Sequence, residues 1–300
     1  MSSFKETLEQ KTKEAEEIIK AYLPKEEGSQ KTVMEAINYS VKVGGKRLRP
    51  ILMREAFTEL GGQGELIRPF MAALEMIHTY SLIHDDLEAM DNDEYRRGKW
   101  TTHKKYGEAM GILAGDALLN YAYETAIQAF EAASAENLAQ TAEALRVLAR
   151  KAGIYGMVGG QVADIEAEEA KNPLTMEQLL FIHENKTAAL IQSALMIGAA
   201  LAGAGQKQID EMERIGYLVG VAYQIEDDIL DVTSTLEELG KPIGSDEKNH
   251  KTTYVTLVGI EKAKEEAERL SEEALDRLHT LLGEDTFLEE LIRSLVNRRK

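Results

Sequence analysis

Two runs of carboxylates in this 300-residue chain sit where carboxylates are uncommon, each directly after an apolar stretch. The first reads His84-Asp85-Asp86-Leu87-Glu88-Ala89-Met90-Asp91-Asn92-Asp93 and the second Gln224-Ile225-Glu226-Asp227-Asp228-Ile229-Leu230-Asp231. On a helix, Asp231 shares a face with Asp227 and Asp228, because residues three and four apart are neighbours. Such a face repels itself unless a counter-charge is present, and hard divalent cations such as Mg²⁺ select oxygen ligands of this kind. The first run is spaced differently: Asp91 lies six residues after Asp85, about 120° off its face on an ideal helix. For Asp91 to join Asp85 and Asp86, the helix must bulge or end between Leu87 and Met90, and that is the expectation. His78, seven residues before Asp85, falls on nearly the same face.

Cations are the second signal. The chain carries a formal charge of −17, which argues against nucleic acid or an anionic membrane as partner. Against that background, residues 44–50 (Gly-Gly-Lys-Arg-Leu-Arg-Pro) hold three cations and no acid, and Glu94 to Lys105 holds five cations and one acid. Gathering like charges is costly unless an anion offsets it, so both segments point to anion binding. Lys104 and Lys105 are read as solvated charges. Cysteine is absent and only six histidines are present. This removes disulfides and a thiolate nucleophile, leaves little for a zinc site, and fits a reducing cytoplasm.

The elements that must carry these residues are helices. Phe4, Leu8, Ala15, Ile18, Ile19 and Tyr22 keep helical spacing up to Pro24, and segments near 68–87, 107–130, 176–203 and 209–231 read as long, mostly buried helices. Ala267, Leu270, Ala274 and Leu278 form a narrow apolar stripe on a charged surface helix. Thr175 is placed to cap a helix after Asn172-Pro173. Breaks fall at Gly44-Gly45, Gly61-Gly62, Arg97-Gly98, Gly203 to Gly205 and Gly240-Lys241-Pro242. The N-terminus lacks the apolar core of a signal peptide. The apolar run from Ala188 to Ala204 is interrupted by Gln192 and Ser193 and is shorter than the ~20 residues of a membrane span. The expectation is an all-α protein without stable membrane association, folded as a single domain over 1–300.

The order of these motifs resembles the trans-prenyl diphosphate synthases (polyprenyl synthetases) over nearly the whole chain. Residues 44–50 resemble the isopentenyl diphosphate segment, and 85–91 the first aspartate-rich motif with four residues before its last Asp. Arg96-Arg97-Gly98, 160–165 (GQVADI), Asn185-Lys186-Thr187, DDILD at 227–231, 240–246 and 251–254 follow in the family's order. Two positions depart: Glu88 and Trp100 stand where members with this first motif commonly have Pro.

The resemblance implies a large bundle of long antiparallel helices around a central apolar cavity, the isoprenoid synthase type of fold, and a homodimer. It implies magnesium, three ions per site with substrate bound, held by Asp85, Asp86 and Asp91 on one side of an allylic diphosphate. Asp227, helped by Asp228 and Asp231, would hold it on the other. Arg96, Lys186, Lys241 and Lys251 would add fixed charge, and Thr187 and Gln224 would line the carbocation. Lys46, Arg49, His78 and Arg97 would bind isopentenyl diphosphate without metal, arginine suiting forked oxygen recognition. Tyr80 and Ser81, fifth and fourth before the motif, would set product length, and a ring at the fifth position resembles bacterial farnesyl diphosphate synthases. On an ideal helix Ser81 lies near the Asp85 face and Tyr80 about 140° from it. Read singly, these residues also have plainer roles: Arg96 and Arg97 as partners of Asp91 or Asp93, His78 as a core histidine, Lys186 as a surface lysine, Thr187 and Gln224 as satisfied buried polar groups. The alternatives are a geranylgeranyl diphosphate synthase, a class I terpene cyclase, a metal phosphohydrolase and an inactive partner subunit. A cyclase usually lacks a second DDxxD, a phosphohydrolase wants more His than His78 and His84, and inactive subunits typically lose aspartates that are kept here.

Overall fold

Helices account for nearly all of the regular structure in the computed structural model, which describes residues 3–168, 172–233 and 252–296. These residues fall into two compact units, 1–54 with 63–145 and 55–62 with 146–300. Neither unit is a continuous stretch of chain.

The first unit opens with α1 (Phe4–Ala21), started by a capping box in which the Ser3 hydroxyl accepts from the Glu6 N–H and the Glu6 carboxylate accepts from the Ser3 N–H. It continues with α2 (Lys31–Lys42), the beginning of α3 (Leu48–Glu59) and α4 (Ile67–Asp85). After α4 comes a small hairpin of β1 (Tyr95–Arg96) and β2 (Lys99–Trp100), then α5 (Thr102–Tyr106), α6 (Glu108–Ile127), α7 (Ala129–Ala132) and the start of α8 (Leu138–Ala152). Helix α4 is apolar on nearly all sides, as a core helix must be. Its Phe70, Met71, Leu74, Met76 and Ile77 are fully buried, and its main packing partner is α6.

In the second unit follow α9 (Met157–Glu168), α10 (Met176–Ile182), a π-helical turn (His183–Ala188), α11 (Ala189–Leu201) and α12 (Gln206–Thr233). It ends with α13 (Tyr254–Val258), α14 (Ile260–Leu282) and α15 (Phe287–Val296). Thr175 caps α10 as expected, in a reciprocal box with Gln178. Every residue of α11 is buried, and α12 packs on α11 and α14. Two glycines of α12 allow this approach: a Cβ at Gly216 would lie 2.6 Å from the Gln192 Cα, and one at Gly220 2.5 Å from the Ala188 Cα. The Ala267, Leu270, Ala274 and Leu278 stripe is the buried face of α14. Among the described residues no helix is long and apolar enough to cross a membrane.

The loop between α2 and α3 shows how one buried charge shapes a segment. Gly44, Gly45 and Arg47 all have positive φ, at 98°, 154° and 51°. The left-handed conformation is unfavourable for arginine, yet Arg47 is held there. Its Nη1 donates to Glu75 Oε1 of α4 at 2.6 Å and its Nη2 to the Val41 carbonyl at 2.7 Å, with both side chains buried. Removing one partner of a buried ion pair strands the other. Arg47→Met should therefore destabilise the protein by about 3–5 kcal/mol, with most of the loss recovered on adding Glu75→Leu. Denaturant unfolding measures both, and a neutral Arg47→Met would contradict the anchoring role.

Candidate active site

The first acidic run ends a helix. Helix α4 stops at Asp85, two residues before the expected window, and Asp86 is its C-cap. The chain then folds back: the Asp91 N–H donates to the Asp85 carbonyl at 2.9 Å, and the Asn92 N–H to the Leu87 carbonyl at 3.0 Å. Asn92 takes the left-handed conformation (φ 53°) this reversal needs, one that asparagine tolerates better than most residues. The turn brings Asp91 beside Asp85, which continued helix would not have done.

The two motifs share a division of labour. In the first, Asp85 is half-buried and Asp91 exposed, whereas Asp86 is buried. The Asp86 Oδ1 accepts from Arg96 Nε at 2.8 Å and Nη2 at 2.6 Å. Burial raises the Asp86 carboxyl above its ordinary range, and these bonds oppose the rise. In the second motif, Asp227 and Asp231 are half-buried and Asp228 is buried on α12. Asp228 Oδ2 accepts the Tyr254 N–H at 2.8 Å at the start of α13, Oδ1 faces the Gln224 amide at 3.5 Å, and His183 Nε2 is 3.8 Å from Oδ2. Asp86 and Asp228, expected as metal ligands, are here engaged by protein donors. Arg96 takes Asp86 as its main partner, with Asp93 at 3.7 Å.

Both departures from the family pattern have a place. Glu88 lies 3.9 Å from Lys104, which is also 3.5 Å from Glu94. Lys105 sits 3.6 Å over the Tyr39 ring. The two lysines read as solvated are therefore both partnered. Trp100 stacks on Tyr95 with ring centroids 4.3 Å apart, and its carbonyl accepts from the Tyr39 hydroxyl at 2.7 Å.

The cationic segments meet within the first unit. Arg97 and Gly98 form the tip of the β1–β2 hairpin with φ of 52° and 71°, the doubly left-handed geometry of a tight hairpin turn. This lays the Arg97 guanidinium on Gly45, where a Cβ would come within 2.7 Å of Nη1. Gly45 thus makes room for Arg97. Half-buried His78 is held well below the ordinary imidazole value of 6.5, first by burial and then by Arg49, Arg97, Arg96 and Arg47. Glu75 answers Arg47 and Asp86 answers Arg96, but among the described residues no ion pair joins Arg97 to a carboxylate. Lys46 is exposed beside this group. The arrangement suits a multiply charged anion.

Below the first motif, Tyr80 is 5% exposed and meets the His84 ring edge-to-face at 5.9 Å. Burial, with Tyr123 and Asp85 adding to it, pushes the Tyr80 phenol up to about 12. The Ser81 hydroxyl bonds back to the His78 carbonyl at 2.9 Å.

In the second unit, the expected helix 176–203 is interrupted by the π-helical turn that carries Asn185-Lys186-Thr187. Such turns recur at functional sites. Here α9 passes so close that a Cβ at Gly160 would overlap the Lys186 backbone. Lys186 Nζ donates to buried Asp164 at 2.5 Å, and the Thr187 hydroxyl to Gln224 Oε1 at 2.9 Å. A hydrogen-bonded line thus runs from Thr187 through Gln224 and Asp228 to the Tyr254 N–H. Asp164 and His183 escaped the sequence reading as site residues. Asp164 was signalled by being the one acid in the otherwise uncharged run 160–165. Lys241 and Lys251 lie outside the described residues.

Among the described residues no three acidic or histidine groups converge as a ready-made metal site. The carboxylate oxygens nevertheless suit magnesium, which commonly binds one or two carboxylates and completes its shell with substrate phosphates and water.

Comparison with known proteins agrees with this geometry. The Polyprenyl synthetase family profile matches residues 30–285. Farnesyl diphosphate synthase of Micrococcus luteus is 44% identical over 285 residues, covering 95% of this chain and 94% of that one. Geranylgeranyl diphosphate synthase of Cyanophora paradoxa is 45% identical over 269 residues, 88% of each chain. The structure of a Helicobacter pylori geranyltransferase complexed with magnesium and isoprenyl diphosphate superposes with a TM-score of 0.82 at 33% identity, over 99% of this chain and 97% of that one. The chain belongs to the polyprenyl synthetase family and is a trans-prenyl diphosphate synthase.

Proposed function

We propose that this synthase condenses isopentenyl diphosphate with dimethylallyl and then geranyl diphosphate, and stops at farnesyl diphosphate. The observation that carries the product length is the buried Tyr80 ring, packed against His84 just before the first motif. The sequence similarity to the Micrococcus luteus farnesyl diphosphate synthase supports it.

The residues divide between two diphosphates. Isopentenyl diphosphate must not ionise, so its site should hold charge without metal. Arg49, Arg97, His78 and Lys46 suit that role, and Arg47 is instead the buried anchor of their loop. The allylic diphosphate must leave. By the family resemblance, Asp85, Asp91, Asp227 and Asp231 would hold magnesium, three ions in all. Asp86 would act by orienting Arg96, and Asp228 by fixing Gln224 and the start of α13. The chemistry magnesium supplies when bound is stabilisation of the charge that develops on the leaving diphosphate. Lys186, oriented by Asp164, would add fixed charge, as would Lys241 and Lys251. Thr187 and Gln224 would present oxygens to the carbocation. The allylic C–O bond breaks first, diphosphate leaving with its electron pair; the isopentenyl double bond then attacks the allylic carbocation, forming one C–C bond and a new tertiary cation. The proton then lost goes to the departed pyrophosphate. We further propose a homodimer, supported by the exposed apolar residues Ile112, Leu113 and Ile127 on α6.

Incubation with magnesium, isopentenyl diphosphate and each allylic primer, with products identified by mass, tests this reading. Dimethylallyl and geranyl diphosphates should yield farnesyl diphosphate, and farnesyl diphosphate should be extended little. Ready extension of farnesyl diphosphate would instead identify a geranylgeranyl-forming enzyme. The cation cluster has its own readout. In the free protein His78 should stay neutral at pH 6.5, and pyrophosphate without metal should raise its pKa, followed by NMR of the imidazole. Ordinary titration near 6.5 with no response to the anion would remove His78 from the diphosphate site.

A further inference from the structure

His84, in the first acidic run, has no part in the reaction as described, and its surroundings are unusually specific. Its ring fills a notch on α6 that exists because residue 115 is glycine: a Cβ there would overlap the imidazole. The ring Nε2 lies 3.1 Å from the Ile112 carbonyl. A carbonyl only accepts, so Nε2 carries the proton and donates it. Asp116 lies 3.8 Å away on the same helix. The other side of the imidazole meets the Tyr80 ring at an interplanar angle of 84°. The Tyr80 phenol makes no hydrogen bond among the described residues, so packing alone sets its ring position, and His84 is the aromatic partner that packs on it.

We propose that Gly115 and His84 are specificity-determining positioning residues: the Gly115 notch seats His84, His84 fixes the Tyr80 ring, and the fixed ring limits product length. The inference rests on Tyr80 being the stop. Neither residue needs to touch the product. A side chain at 115 would unseat the imidazole and remove the edge that holds Tyr80, leaving a ring that yields to a longer chain.

The test compares the ratio of geranylgeranyl to farnesyl product from isopentenyl and geranyl diphosphates in five proteins: wild type, Tyr80→Ala, Gly115→Ala, His84→Ala and the Gly115→Ala/His84→Ala pair. Loss of one edge-to-face contact should raise the ratio roughly three- to tenfold in Gly115→Ala and in His84→Ala. The pair should match His84→Ala alone, because the vacated notch accepts the methyl group. Thermal melting separates this from general destabilisation, which would lower the melting temperature without moving the ratio. An unchanged ratio in folded Gly115→Ala, with a raised one in Tyr80→Ala, overturns the proposal and leaves the Tyr80 stop intact. An unchanged ratio in Tyr80→Ala overturns the stop itself. Folded but inactive Gly115→Ala also counts against it, since a length-setting role leaves condensation in place. Should Gly115→Ala not fold, His84→Asn decides: it keeps a donor for the Ile112 carbonyl but loses the ring. A raised ratio supports the proposal and an unchanged one sinks it.

Discussion

Crowding of like charge is the constraint on which this structure turns. Arg47, Arg49, Arg96 and Arg97 all bear on one imidazole, in a chain whose net charge is −17. Such crowding is unfavourable unless each cation is answered, and two of the answers come from buried acids, Glu75 for Arg47 and Asp86 for Arg96. Those pairs do structural work: one holds the α2–α3 loop in a left-handed turn and the other ties the end of α4 to the hairpin. Arg97 remains at the hairpin tip over Gly45. A diphosphate would supply the missing charge there, which is why the cluster is proposed as the isopentenyl diphosphate site.

The same logic explains why each aspartate motif has two kinds of carboxylate. In the proposed role, a carboxylate that grips a metal–diphosphate complex would have to stay accessible, yet the backbone around it needs fixing. The second Asp of each motif takes the fixing role. Asp86 orients Arg96, and Asp228 links Gln224, His183 and the first N–H of α13. The outer positions, Asp85 with Asp91 and Asp227 with Asp231, are left with more access to solvent. Preorganisation of this kind lets fixed charges act on a departing group without reorganising at the moment of reaction.

Much of this was legible from residue type and spacing. Helical periodicity located the long helices to within a few residues, the Thr175 cap was visible as a turn followed by Thr, and the six-residue offset of Asp91 required the helix to end. Three things were hidden. The inward turn of Asp86 and Asp228 depends on partners ten and twenty-six residues further along the chain, which spacing on one helix does not reveal. The π-helical turn at 183–188 reflects the close passage of α9 at Gly160, a tertiary contact that overrides an apolar pattern reading as plain helix. The partners of Lys104 and Lys105 come from the loop after α4 and from α2, so composition alone made both look solvated. The hairpin is only two residues per strand, too short for alternation to appear, and only the Arg97-Gly98 break marked it.

The central claim is that the two diphosphates are held by different means, one by the cation cluster and the other by the metal-binding carboxylates. Initial-rate kinetics of Arg97→Gln, with isopentenyl and geranyl diphosphates varied in turn, test it most directly. The account predicts that KM for isopentenyl diphosphate rises at least about tenfold, as loss of a charged hydrogen bond to a ligand implies, while KM for geranyl diphosphate stays within about twofold. An equal rise for both substrates, or a rise for geranyl diphosphate alone, would contradict it.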